Sequence, residues 1–213
     1  MRLALLLTVG YTVAAAPLLA QRDARLEITL PADDSHGQEV PIIRSTGMLA
    51  DRRMRDLLNH GFPAHLHYRV ELWSARGLFD DLKSQVEWDV IVRYNPMERL
   101  YTATRIEGER AIPLGTFDQL RKVDDAIGSP FQPPIRPPTR RQKFYYNAVL
   151  DVEMLSVNDL DEVERWLRGE LSPAVHGEKS PGTAITRGAR ILVTRLLGGE
   201  QRHYETRSRV FRP

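Results

Sequence analysis

From residue 25 onward, apolar and polar residues alternate over seven stretches, which is the pattern of strands that bury one face. In the stretch 63–74, Leu66, Tyr68, Val70 and Leu72 fall on one side, and the other side carries mostly polar residues. We expect the first side to face a core and the second to face water. The other six stretches are 25–30, 39–44, 88–94, 100–106, 144–154 and 203–211.

Helical spacing of apolar residues predicts three or four helices around these strands. The first covers 50–58 and ends near Gly61, and the second opens with a capping box at 116–119 and ends at Gly128. Two more are predicted after the last long strand, at 158–169 and 185–196.

The order of the elements predicts a strand-rich α+β fold with a sandwich-like antiparallel core of about seven strands and three or four peripheral helices. Strands and helices do not alternate as a parallel sheet requires. The 213-residue length favours a single domain over 21–213. Five prolines make 129–142 an extended crossover within it, since proline cannot donate to a ladder.

Residues 1–20 have the pattern of a signal peptide: Arg2, an uncharged apolar stretch, Pro17, and small residues before Gln21. Export to the periplasm or the exterior is therefore expected. The alternative is an uncleaved anchor, because the uncharged stretch approaches the roughly 20 residues that span a bilayer. After signal removal, no stretch is apolar enough to span a membrane.

The net charge and the cysteine content argue against several classes of function. With 30 basic and 28 acidic residues, the net charge of +2 does not indicate nucleic-acid binding. The chain has no cysteine, which excludes disulfides, thiolate metal sites and attachment of lipid to a cysteine. No cofactor is expected, and no catalytic residue is assigned, because nucleophile-elbow, P-loop and zinc-protease motifs are missing from the sequence.

Several segments resemble a bacterial domain-of-unknown-function family, number 4390, whose members are exported. The resemblance covers nearly all of 21–213 and is carried by 57–63, 88–96, Tyr101, 117–120, 145–152 and 155–160. It implies an uncharacterised envelope protein with one domain. It implies no catalytic residue.

His65 and His67 are the candidate metal ligands. Residues two apart on a strand point to the same side, so both imidazoles could reach one zinc ion if Glu71 or a distant histidine supplied a third ligand. The alternative is an ordinary solvated strand face. The acids at 80–81 and 87 form a weaker candidate for acid–base chemistry, and acids in a turn are the alternative there.

The C-terminal region is rich in arginine, with seven arginines against two acids from residue 185. Guanidinium groups suit carboxylate or phosphate recognition, so the candidate partner is an envelope protein or an anionic surface. The candidate contacts are Arg187, Arg190, Arg195, Arg207 and Arg209. The alternative is a solvated face balanced by the acidic segment 151–164.

These features favour a non-enzymatic binding module of the bacterial envelope. An envelope hydrolase or metal-dependent enzyme using His65, His67 and nearby acids is the alternative. A third hypothesis, a ligand carrier, predicts an apolar cavity between layers.

Overall fold

The computed structural model describes residues 23–31, 40–76, 79–138, 142–155 and 201–213. These ranges contain eight strands and two helices. The fold is therefore strand-rich, as the alternation predicts. In chain order they are β1 (Arg25–Thr29), β2 (Ile42–Thr46), α1 (Arg52–Asn59), β3 (Ala64–Ser74), β4 (Asp81–Asn95), β5 (Leu100–Glu107), β6 (Arg110–Phe117), α2 (Leu120–Ile127), β7 (Phe144–Met154) and β8 (Gln201–Arg207).

Six strands form one antiparallel sheet in the order β6-β5-β4-β3-β7-β8, and β1 and β2 form a separate two-stranded sheet. β3 pairs along its whole length with β4 on one side and β7 on the other. Because β7 is also paired on both sides, the prediction that 144–154 is an interior strand is confirmed.

The main core lies on one face of the six-stranded sheet. Leu66, Val70 and Leu72 of β3 are almost fully buried there, together with Leu26 of β1 and Ile43 of β2. The small sheet and α2 therefore form a second layer over the large sheet, which gives the sandwich-like arrangement.

The expected counts of strands and helices need correction. The eighth strand, β6, was not predicted. The capping box predicted at 116–119 is wrong, because Thr116 lies inside β6 and α2 begins at Leu120 without a side-chain cap. β6 lies at the edge of the sheet, where the missing N–H of Pro113 interrupts no interior ladder. The described ranges contain two helices instead of three or four; the helices predicted at 158–169 and 185–196 lie outside them.

The described part of the proline segment packs against the core. Phe131 exchanges backbone hydrogen bonds with Ile43 at 2.8 and 3.0 Å, and Ile135 is buried. Tyr146 Oη donates to the Ile135 carbonyl. Neither described helix has the length and apolar character needed to cross a bilayer.

Candidate functional site

The second face of the six-stranded sheet carries a row of histidines and carboxylates contributed by four neighbouring strands. The register sets His67 of β3 opposite Asp89 of β4 on one side and Asp151 of β7 on the other. At the same level, Asp151 lies opposite His203 of β8, and two residues along β3, His65 lies opposite Glu153. Strand pairing therefore brings together side chains that are 22 to 88 residues apart in sequence.

Asp89 is shared by both histidines of β3. Its Oδ1 atom accepts from His65 Nε2 at 2.8 Å and from His67 Nδ1 at 2.8 Å. The other ring nitrogen of His65, Nδ1, donates to Glu153 Oε1 at 2.7 Å. His65 is thus held between two carboxylates, and we name His65, His67, Asp89 and Glu153 the histidine–carboxylate cluster.

His65 carries a positive charge in this arrangement, because both of its ring nitrogens donate to carboxylates and each must then bear a proton. Burial lowers its pKa, but the hydrogen bonds and charges of Asp89 and Glu153 outweigh burial and raise the pKa to about 9. For Asp89, burial likewise opposes the charge, and the two histidines outweigh it, so its pKa is lowered.

The same three groups form a donor set for a metal ion. One ligand atom from each of His65, His67 and Asp89 lies within 4.8 Å of the other two. Ligand atoms of a tetrahedral zinc site are about 3.3 Å apart, given bonds of about 2.0–2.2 Å. Each of the two nitrogen–oxygen pairs is 2.8 Å apart, so each pair would have to separate by about half an ångström to admit an ion.

Glu153 supplies the outer contact that such a site requires. A histidine bound to a metal commonly donates its other ring N–H to a carboxylate, which fixes the ring orientation and makes the ligating nitrogen more basic. With His65 Nδ1 bonded to Glu153, its Nε2 atom is directed at Asp89. An outer carboxylate is therefore in place for His65.

His203 and Asp151 form a second pair beside the cluster, with Nδ1 to Oδ1 at 2.7 Å. The imidazole is 58% exposed, compared with 8% for that of His65. His203 is therefore a matched control for the buried histidines: it has the same chemistry, lies on the same face of the sheet and contacts a carboxylate in the same way.

The structure confirms that His65 and His67 lie on the same side of one strand, but it corrects their environment. The face predicted to be solvated is half-buried, and His65 is only 6% exposed. The third donor is Asp89 instead of Glu71, whose carboxylate accepts from Trp73 Nε1 at 2.9 Å and from Asn147. Neither Asp89 nor Glu153 was picked out by sequence reasoning, although each faces away from the core in an alternating stretch.

The other carboxylate candidate is not assembled. Asp80 accepts a hydrogen bond from the Tyr145 hydroxyl at 2.8 Å, and Asp81 pairs with Lys83. Asp81 and Glu87 are both in β4 and six residues apart, about 20 Å along the strand. These acids therefore do not form a pair for acid–base catalysis.

The arginines divide between described and undescribed parts of the chain. The guanidinium of Arg207 lies 4.2 Å from the centre of the Tyr145 ring, and Arg209 also has a partner within the protein. Arg187, Arg190 and Arg195 lie outside the described residues. Recognition of an anionic partner by this region stays a prediction.

No protein-family model, curated protein or solved structure matches this chain. The resemblance to family 4390 therefore stays a prediction.

Proposed function

We propose that this chain is an exported, non-enzymatic binding module and that its ligand is a divalent transition-metal ion of the zinc class. The observation that carries the proposal is the convergence of His65, His67 and Asp89 within 4.8 Å, with Glu153 behind His65. Export rests on the pattern of residues 1–20 and predicts a mature chain that begins at Gln21.

The chemistry of the ligand atoms limits which metal ions the cluster can bind. Imidazole nitrogens suit zinc, copper and nickel, whereas calcium and magnesium prefer sites made entirely of oxygen. Because the chain has no cysteine, it cannot supply the thiolate ligands that some ions require. The ion expected to bind is therefore Zn²⁺, with Ni²⁺ and Cu²⁺ as close competitors.

Binding should release one proton. The ion needs the lone pair on His65 Nε2, so the imidazolium must lose that proton while Nδ1–H stays on Glu153. The ion also needs the lone pair on His67 Nδ1, and the Nδ1 proton can move to Nε2 of the same ring. Since Asp89 is already ionised, the net release at neutral pH is about one proton per ion.

Isothermal titration with ZnCl₂ tests the proposal. The His67→Gln variant should bind Zn²⁺ about 100-fold more weakly or not at all, because it removes one of three ligands. The matched control, His203→Gln, removes an exposed imidazole from the same face and should bind as the wild type does. Circular dichroism checks that both variants fold.

Repeating the titration in buffers of different ionisation enthalpy gives the number of protons released. Equal Zn²⁺ affinity in wild type and folded His67→Gln would overturn the proposal. Loss of affinity in His203→Gln alone would place the ion at the exposed pair instead of the cluster.

One observation favours a metal-dependent enzyme as the second candidate. Three protein ligands leave a four-coordinate ion one position for water, as in catalytic zinc sites. This candidate requires hydrolysis of an activated ester by the zinc-loaded protein that disappears in His67→Gln. Zinc binding without such hydrolysis supports the binding module.

A further inference from the structure

The opposite face of the six-stranded sheet contains a cavity that the histidine–carboxylate cluster does not use. Its volume is about 230 Å³, and it lies among the large sheet, β2, α2 and the start of the proline segment. Most of the described residues that line it are apolar, and Arg105 is the one charged residue among them. Trp88 and Asp89 are consecutive in β4, so the cavity and the cluster are on opposite sides of the same strand.

Three aromatic rings shape the cavity. Tyr68 and Trp88 stack with their ring centres 4.9 Å apart and their planes within 7° of parallel. Phe131 packs edge-on against Trp88 at 4.8 Å. Rings favour stacked or edge-to-face neighbours, so these walls favour a flat aromatic guest over a flexible chain.

Arg105 brings a positive charge to the lining of the cavity. Its guanidinium lies 4.2 Å from the centre of the Phe131 ring, and its Nε is 2.7 Å from Glu107 Oε1. That Nε–Oε1 contact does not have hydrogen-bond geometry, so the ion pair is poorly aligned. A guanidinium has five N–H donors, and a planar carboxylate can accept two of them in parallel.

We propose that this cavity binds a small aromatic carboxylate. An apolar cavity of about 150 Å³ holds benzene, so about 230 Å³ has room for one ring plus a carboxylate. The ring would lie against Tyr68, Trp88 and Phe131, and the carboxylate would pair with Arg105. This proposal is independent of the metal site.

Benzoate is the probe, and benzyl alcohol is its neutral counterpart of similar size and shape. Titrations monitored by two-dimensional NMR of the full folded chain, with a metal chelator present, should give a dissociation constant of about 1 mM or lower for benzoate. Benzyl alcohol should bind at least about tenfold more weakly, because it cannot pair with the guanidinium.

Three variants distinguish the contribution of the Arg105 charge from that of the cavity volume. Arg105→Gln should weaken benzoate binding about tenfold or more and leave benzyl alcohol binding unchanged. Glu107→Gln removes the competing carboxylate and should tighten benzoate binding. Ala126→Leu extends a lining side chain of α2 into the cavity and should abolish binding of both probes.

The proposal is overturned if benzoate and benzyl alcohol bind equally, if neither binds at millimolar concentration, or if folded Ala126→Leu still binds benzoate as the wild type does. Unchanged benzoate affinity in Arg105→Gln would also overturn it. Because the chelator removes metal ions, none of these outcomes depends on whether the histidine–carboxylate cluster binds zinc.

Discussion

Alkaline pH should destabilise the folded chain, because it removes the second proton of the His65 ring. In the fold, both ring nitrogens of His65 donate to carboxylates, and its pKa is raised from 6.5 to about 9. The unfolded chain lacks these partners. A group whose pKa is higher in the folded state stabilises the fold fully below its unfolded pKa and loses that effect as the pH rises through the folded pKa.

The magnitude follows from the two pKa values. One pKa unit corresponds to about 1.4 kcal/mol, so a shift from 6.5 to about 9 corresponds to about 3 kcal/mol of unfolding free energy. That contribution should be complete at pH 6 and lost progressively up to about pH 9. At the acid end, the lowered pKa of Asp89 acts in the opposite sense, since its contribution is present above its unfolded pKa of 3.8 and falls away in stronger acid.

Urea unfolding from about pH 6 to pH 9.5, with a chelator present, measures this loss. The Glu153→Gln variant removes one of the two carboxylates that hold the charge, so its stability should fall at lower pH and over a smaller range. His203→Gln removes an exposed imidazole and should follow the wild-type curve. A wild-type unfolding free energy that changes by less than about 1 kcal/mol, or identical curves for wild type and Glu153→Gln, would refute the reasoning.

Two further predictions concern the contacts that hold α2 against β2. Asp124→Ala should cost about 1–3 kcal/mol in urea unfolding, because the carboxylate accepts from backbone amides of the 47–49 loop at 2.7 and 3.3 Å; an unchanged midpoint would contradict it. Gly128→Ala should cost about 2 kcal/mol or more, since its Cβ would lie 2.2 Å from the Ser45 carbonyl oxygen. Ser129→Ala, at the exposed next position, should leave the thermal midpoint nearly unchanged, and equal losses for the two variants would contradict the steric argument.

The strands could be predicted where a buried face alternates with a polar one. β3 and β7 were located within one residue of their ends because each has a run of large apolar side chains at every second position. At the turn between β4 and β5, Asn95 Oδ1 accepts from the backbone amides of Met97 and Glu98, as asparagine commonly does in turns. In these stretches local pattern and tertiary packing agree.

β6 was missed because its sequence contradicts its structure. It contains Pro113 and Gly115, both of which normally interrupt a strand, and it has no clean alternation. An edge position tolerates both residues, and a register shift in the β5–β6 pairing falls between Ala103 and Thr104, opposite them. The β-propensity of these residues therefore argued against a strand, although pairing with β5 stabilises one.

The site was only half predictable, because two of its four members depend on register. The spacing of His65 and His67 shows that they share a side of one strand. That Asp89 faces His67 and Glu153 faces His65 depends on how β3 pairs with β4 and β7, and moving the pairing by one residue would send these acids to the other face. The register follows from long-range packing, which the local pattern does not contain.

The buried charge also explains why a polar row can persist inside a sheet. An isolated imidazolium with 8% of its side chain exposed would cost several kcal/mol, so the fold needs either two carboxylates around it or a metal ion in place of its Nε2 proton. The proton and the proposed ion compete for the lone pair on His65 Nε2, and the negative charges of Asp89 and Glu153 favour the binding of either one. If the proposed ion binds, low pH favours the proton and higher pH favours the ion, so the carboxylates that hold the imidazolium would also set the pH at which the ion replaces its proton.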